Sequence, residues 1–228
     1  MLCFAAYHGW VIDRQRIIIP EKLDHSPPEE ARENLRDLVR VNKLLGGYKI
    51  LRKMMAQFVR PGEGFSVLDV GAASGDMGAS LRRRYPQAKV TSLDYRSVHL
   101  ALAGYPKVIG DAFCLPFRPA SFDFVFTSLF LHHFSDEQVV ELLRNFASLA
   151  RRAVLAIDLE RGPFAYHFMP TTRWLFGWHG LSMHDGPASV QAAFKREELL
   201  ALAQQAGLSK ARTSRHPPWA RVSLVAPL

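Results

Sequence analysis

The stretch from Phe65 to Gly78, Phe-Ser-Val-Leu-Asp-Val-Gly-Ala-Ala-Ser-Gly-Asp-Met-Gly, constrains this chain more than any other. The apolar run through Val70 reads as a buried strand, Gly71 to Gly75 as a tight turn, and Asp76 onward as the first turn of a helix. Such a turn lets a ligand approach the backbone and presents unpaired N–H groups to it. A dinucleotide fingerprint would space its glycines as Gly-x-Gly-x-x-Gly. Here the small residues are Gly71, Ala73 and Gly75, at alternate positions, which speaks against a dinucleotide oxidoreductase.

From that stretch the chain alternates strand and helix, the pattern of a parallel sheet with helices on its faces. Strands are expected at 65–70, 89–93, 107–109, 122–127 and 153–157. Helices are expected at 76–84, 97–103, after the capping box Ser135–Gln138, and at 195–206. Two further strands, 209–214 and 220–226, look like an antiparallel pair. Ahead of the sheet, residues 1–60 read as an N-terminal extension and helical cover. Its first helix follows an apparent capping box, Ser26-Pro-Pro-Glu29, and its second runs 48–59. Residues 160–193 break the alternation with an aromatic-rich insertion, read as a substrate cover.

Four segments in order resemble the class I S-adenosylmethionine (SAM) dependent methyltransferases. They are Leu68-Asp-Val-Gly-Ala-Ala-Ser-Gly75, the strand-ending Asp94 with Tyr95, Gly110-Asp-Ala-Phe-Cys-Leu-Pro-Phe117, and Phe122-Asp-Phe-Val with the His132-His133 pair. The group it looks most similar to contains quinone-biosynthesis and natural-product enzymes. The resemblance implies an α/β fold: a Rossmann-like, seven-stranded, mostly parallel sheet with one antiparallel C-terminal strand, spanning 61–228. It implies SAM as cofactor and S-adenosylhomocysteine (SAH) as product. Asp69, Gly71, Ala72, Ala73 and Gly75 would form the turn against the cofactor. Asp94 would bind the ribose hydroxyls and Tyr95 lie against adenine. Asp111 and Ala112 would meet the adenine edge, and Ser128 and Leu129 the methionyl part.

Methyl transfer from a sulfonium to a phenol or enol is helped by a base, and histidine titrates in the useful range. His132 and His133, directly after the fourth strand, are the first candidates for catalysis, followed by His184 beside Asp185, where a turn is expected. Tyr166, His167 and Arg173 of the insertion are candidate substrate contacts. No metal site is read, because the histidines and acids match no compact ligand spacing.

The acceptor suggested by the aromatic insertion is a small apolar or aromatic molecule, methylated at oxygen or carbon. The formal net charge of +8 raises the alternative of a nucleic-acid methyltransferase. Against it, Thr127-Ser-Leu-Phe130 lacks the Pro-Pro segment of amino-directed enzymes. A non-catalytic SAM-binding protein is the other alternative. The first ten residues are apolar without a basic flank, so no signal peptide or membrane span is read. Cys3 and Cys114 are the two cysteines, consistent with a reducing cytoplasm. Monomer and homodimer both remain open.

Overall fold

A computed structural model describes residues 15–228 except residue 105. Cys3 and the apolar start therefore lie outside the described residues. In chain order the elements are helices α1 (Pro28–Leu44) and α2 (Gly47–Met55), strand β1 (Phe65–Val70), α3 (Asp76–Arg84), β2 (Ala88–Asp94), β3 (Lys107–Ile109) and β4 (Phe122–Ser128). Then follow α4 (Asp136–Leu149), β5 (Ala150–Leu159), α5 (Pro163–Phe176), α6 (Gly180–Ala192), α7 (Arg196–Gln205), β6 (Arg212–His216) and β7 (Arg221–Pro227).

The seven strands form one sheet in the order β3-β2-β1-β4-β5-β7-β6. Strands β1 to β5 are parallel, and β7 runs antiparallel to both β5 and β6. The expected sheet, with one reversed strand near its C-terminal end, is present. Strands β1, β4 and β5 are nearly continuous apolar runs because both faces are covered. Successive residues then feed opposite cores. Val67, Phe124, Phe126, Leu155 and Ile157 pack with α2 and α3 on one side. Leu68, Val70, Val125, Val154 and Ala156 pack with α4 and α7 on the other. Strand order reverses between β1 and β4, so their carboxyl ends open the crevice where ligands bind in such sheets.

Several local expectations change. The Ser135–Gln138 capping box forms, with Ser135 Oγ accepting from Gln138 N and the Gln138 side chain accepting from Ser135 N. The Ser26 box does not. Ser26 Oγ donates back to the carbonyl of Lys22, closing a short 3-10 turn (Lys22–His25), and Pro27 is left to precede α1. A serine hydroxyl offered a local carbonyl competes with capping in this way. The helix expected at 97–103 is only a 3-10 turn, His99–Leu102, because His99 turns inward to Asp94. The second cover helix ends early, at Met55.

The insertion is two helices rather than an irregular cover, and each contains an internal proline, Pro170 in α5 and Pro187 in α6. Helix α6 is tied to the N-terminal segment. Asp37 of α1 accepts from His179 N and Ser182 Oγ, and Asp185 of α6 accepts from Lys22 N and Leu23 N. The two covering regions thus meet over the carboxyl ends of the strands. Among the described residues no helix is long and apolar enough to cross a membrane.

Candidate active site

The glycine turn keeps its shape without its middle glycine. Gly71 (φ 66°) and Gly75 (φ 69°) flank Ala73, which adopts φ 46° itself. A non-glycine residue in that region is strained, and such residues gather at functional sites. Ala73, Leu129 and Ala220 all have positive φ and all border one cavity. Gly71 has a second reason to be glycine: a Cβ there would run into the ring of Phe130.

That cavity, of about 530 Å3, lies over the ends of β1, β2 and β4. One wall is the turn with Gly71 and Ala73, then Asp94, Tyr95, Gly110, Asp111 and Ala112. Asp94 is buried and does two jobs. Its carboxylate accepts from Ala73 N at 3.0 Å and Arg96 N at 3.1 Å, pinning the turn to β2, while still facing the cavity. Asp111 Oδ1 accepts from Phe113 N at 2.9 Å, and the Asp111 carboxylate stays exposed. Asp69, Ala72, Gly75 and Ser128 stand behind this wall rather than on it. Burial, and then the nearby Asp76, push the Asp69 carboxyl up to about 8.

The opposite wall is built by Glu21, His132 and His133. His132 is buried between two carboxylates: its Nδ1 lies 2.6 Å from Asp158 Oδ1 and its Nε2 3.4 Å from Glu21 Oε1. Burial alone would lower this imidazole, but Asp158 and then Glu21 outweigh it and push it up to about 10. Burial would likewise raise Glu21, yet the facing histidines hold it down to about 2. The Asp158 carboxyl is held low by His132 against the same burial cost. The His133 ring stacks on that of His132, centroids 4.4 Å apart, and its side chain remains 24% exposed.

The lid side of the cavity is apolar. Phe164, Ala165, Phe168 and Met169 of α5 face inward, one helical stripe. The structure does not bring Tyr166, His167 or Arg173 to the cavity; they lie on the other faces of the same helix. Nor does His184 line it. His184 sits within helix α6, not in a turn, with Nδ1 2.9 Å from Asp185 Oδ1, while Asp185 itself reaches the cavity. Sequence reasoning missed Glu21, Phe164, Phe168 and Met169, and gave Asp158 no role. Asp158 stands near the end of β5 much as Asp94 stands at the end of β2, so the strand-end position was its available signal. Glu21 had none. Among the described lining residues there is no Lys or Arg, and the acidic and basic side chains are carboxylates and histidines.

Residues 67–153 match a family model described as a methyltransferase domain. A demethylmenaquinone methyltransferase of Thermotoga maritima is 30% identical over 117 residues, covering 49% of this chain and 50% of that protein. A malonyl-[acyl-carrier protein] O-methyltransferase of Coxiella burnetii is 36% identical over 72 residues, 32% of this chain and 26% of that protein. The chain thus spans half the length of these curated relatives or less. Among solved structures, a SAM dependent methyltransferase from Aquifex aeolicus superposes with TM-score 0.60 at 16% identity, covering 89% of this chain and 98% of that one. The plantazolicin methyltransferase BamL, solved with SAH, gives 0.64 at 14% identity, covering 84% and 72%. At such identities the structural matches speak for the fold alone.

Proposed function

We propose, of a chain that carries a methyltransferase domain within the class I SAM-dependent fold, that it moves the methyl group of SAM to oxygen or carbon of a small apolar or aromatic acceptor and releases SAH. One observation carries this reading. A single cavity has the glycine turn with Asp94 and Asp111 on one side, a histidine–carboxylate wall on the other, and aromatic side chains above. Its volume suits a cofactor and a small acceptor together. Its lining carboxylates suit a cationic cofactor, and the absence of Lys and Arg from the described lining disfavours a phosphate-bearing substrate there. The relatives named for demethylmenaquinone and malonyl-acyl-carrier protein support a small acceptor or one carried on a small protein.

Gly71 and Ala73 would let the cofactor approach the backbone, Asp94 would accept from the ribose, and Asp111 and Ala112 would meet the adenine edge. The sulfonium makes the methyl electrophilic, so the chain's main task is to align acceptor and methyl for in-line displacement. As the new bond forms, the S–C bond breaks and its electrons stay on sulfur. A hydroxyl or enol acceptor also loses its proton, which would leave to solvent at the partly exposed His133 end of the wall, since the buried His132 already carries one. The N-terminal cover (residues up to 60) and α5–α6 (within 160–193) would keep bulk water off the methyl donor.

Calorimetry with SAH and with NAD tests the reading. SAH is expected to bind and to raise the melting temperature, because a ligand of the native state stabilises by mass action. Asp94→Ala is expected to weaken that binding strongly. Stabilisation by NAD alone, or unchanged SAH affinity in Asp94→Ala, would overturn it.

A further inference from the structure

We propose that Glu21, His132 and His133 form a site for a divalent transition-metal ion on the acceptor wall. One ligand atom from each lies within 4.8 Å of the others. Glu21 Oε1 is 3.4 Å from His132 Nε2, and Glu21 Oε2 is 4.0 Å from His133 Nε2. Ligands about 2.1 Å from a tetrahedral ion stand about 3.4 Å apart. The first pair already has that spacing, and the second closes to it by a small movement of the partly exposed His133 ring.

The surroundings support ligation. His132 Nδ1 donates to Asp158 at 2.6 Å, which turns Nε2 towards Glu21. A carboxylate behind a histidine fixes ring orientation and raises ligand basicity in the same way at metal centres. Ser189 Oγ donates to Glu21 and fixes the carboxylate. Arg16 holds the turn from behind through the carbonyls of His132 and Phe134, and its own charge is turned to Asp136. His132 lies between two buried carboxylates, and an ion would replace the direct contact between its Nε2 and Glu21.

Two imidazole nitrogens and one carboxylate select zinc, iron, cobalt or manganese over calcium and magnesium, which prefer all-oxygen shells. Three protein ligands leave a position open, as in catalytic rather than structural sites. All three ligands line the cavity, so that position faces its interior. Resting on the methyltransferase reading, the acceptor is then a phenol or enol that places its oxygen on the ion. Coordination makes its proton easier to lose; the proton leaves to solvent, and the oxygen takes the methyl as the S–C bond breaks.

The test starts with chelator-treated protein titrated with Co2+ without cofactor, followed by visible absorption, and then Zn2+. One Co2+ per chain is expected, with bands bleached by Zn2+. His133→Ala, at a partly exposed position, should weaken uptake at least about tenfold, and Asp158→Asn by about tenfold. His184→Ala should leave it unchanged. Added catechol should shift the Co2+ bands. SAH affinity is measured on the same variants and should survive in His133→Ala, which separates metal binding from cofactor binding. No saturable spectrum, undiminished uptake in His133→Ala, or joint loss of Co2+ and SAH in that variant overturns the site. Bands indifferent to catechol overturn the assignment of the open position.

Discussion

Replacing Asp158 with asparagine in the metal-free protein removes the charge that holds the His132 proton while nearly preserving shape. His132 rises from the ordinary 6.5 to about 10 in the folded chain, and both partners are fully buried, so solvent screening takes little from the pair. That difference, at 1.36 kcal/mol per pH unit, sets a ceiling of about 5 kcal/mol on what the retained proton adds to folding. Breaking a buried pair by removing one partner costs about 3–5 kcal/mol, which agrees. Above 6.5 the unfolded chain has released this proton while the folded chain keeps it until about 10. The folded state then binds more protons, so stability falls as pH rises through that window. Urea unfolding followed by tryptophan fluorescence, from neutral pH to about 10, measures it. Wild type should lose stability across the window. The variant should start about 3 kcal/mol lower at neutral pH and lose much less. The lysines, common to both proteins, cancel in the difference; the buried Arg221 does not, because Asp158 helps to hold its proton, and its earlier release in the variant flattens the variant's profile further. A wild-type profile that is flat or rises, or a variant slope equal to wild type, would refute the reasoning.

Gly71→Ala should cost about 1–2 kcal/mol from left-handed backbone alone, with a further loss as its Cβ displaces the Phe130 ring; chemical denaturation measures the first, and SAH calorimetry should show binding weakened as well. Met169→Trp should fill part of the cavity under α5, reducing turnover of bulky acceptors more than SAH affinity; equal loss of both would show that α5 covers the cofactor instead. Ser135→Ala should cost about 1 kcal/mol by removing a formed cap, whereas Ser26→Ala, which leads no cap, should cost less in the same urea assay.

The parts of this molecule that were legible in the sequence are those whose cause is local. The run from Phe65 to Val70 is apolar because both faces are buried, and the helix begins at Asp76 because Gly75 turns the chain into it. The order Asp94, Asp111, Leu129 follows strand ends, and strand ends in a parallel sheet share one rim, so all three reach one cavity; their expected cofactor roles came from the resemblance to methyltransferase motifs. The covers were less legible. Proline disfavours a helix interior, yet α5 and α6 continue through Pro170 and Pro187, and α5 buries no residue fully, so its inward stripe leaves little mark on composition.

The acceptor wall was illegible for a different reason: it is assembled by chain crossings. Glu21 reaches His132 only because Asp185 holds the backbone of Lys22 and Leu23, and because Arg96 holds the carbonyls of Leu23 and Ser26. None of those bonds has a periodic or spacing signature. His132 looked like a free base in the sequence because its two carboxylates come from the N-terminal segment and the far end of β5. Once they are in place, the same histidine is a charged, immobile group, and any proton transfer to it must first undo a buried pair. The division follows the chemistry. The proposed cofactor wall is made of short strand-end segments, each of which a motif can record. The opposite wall depends on which distant segments fold over the rim, so Glu21, Asp158 and the α5 stripe decide the setting in which the histidine pair works.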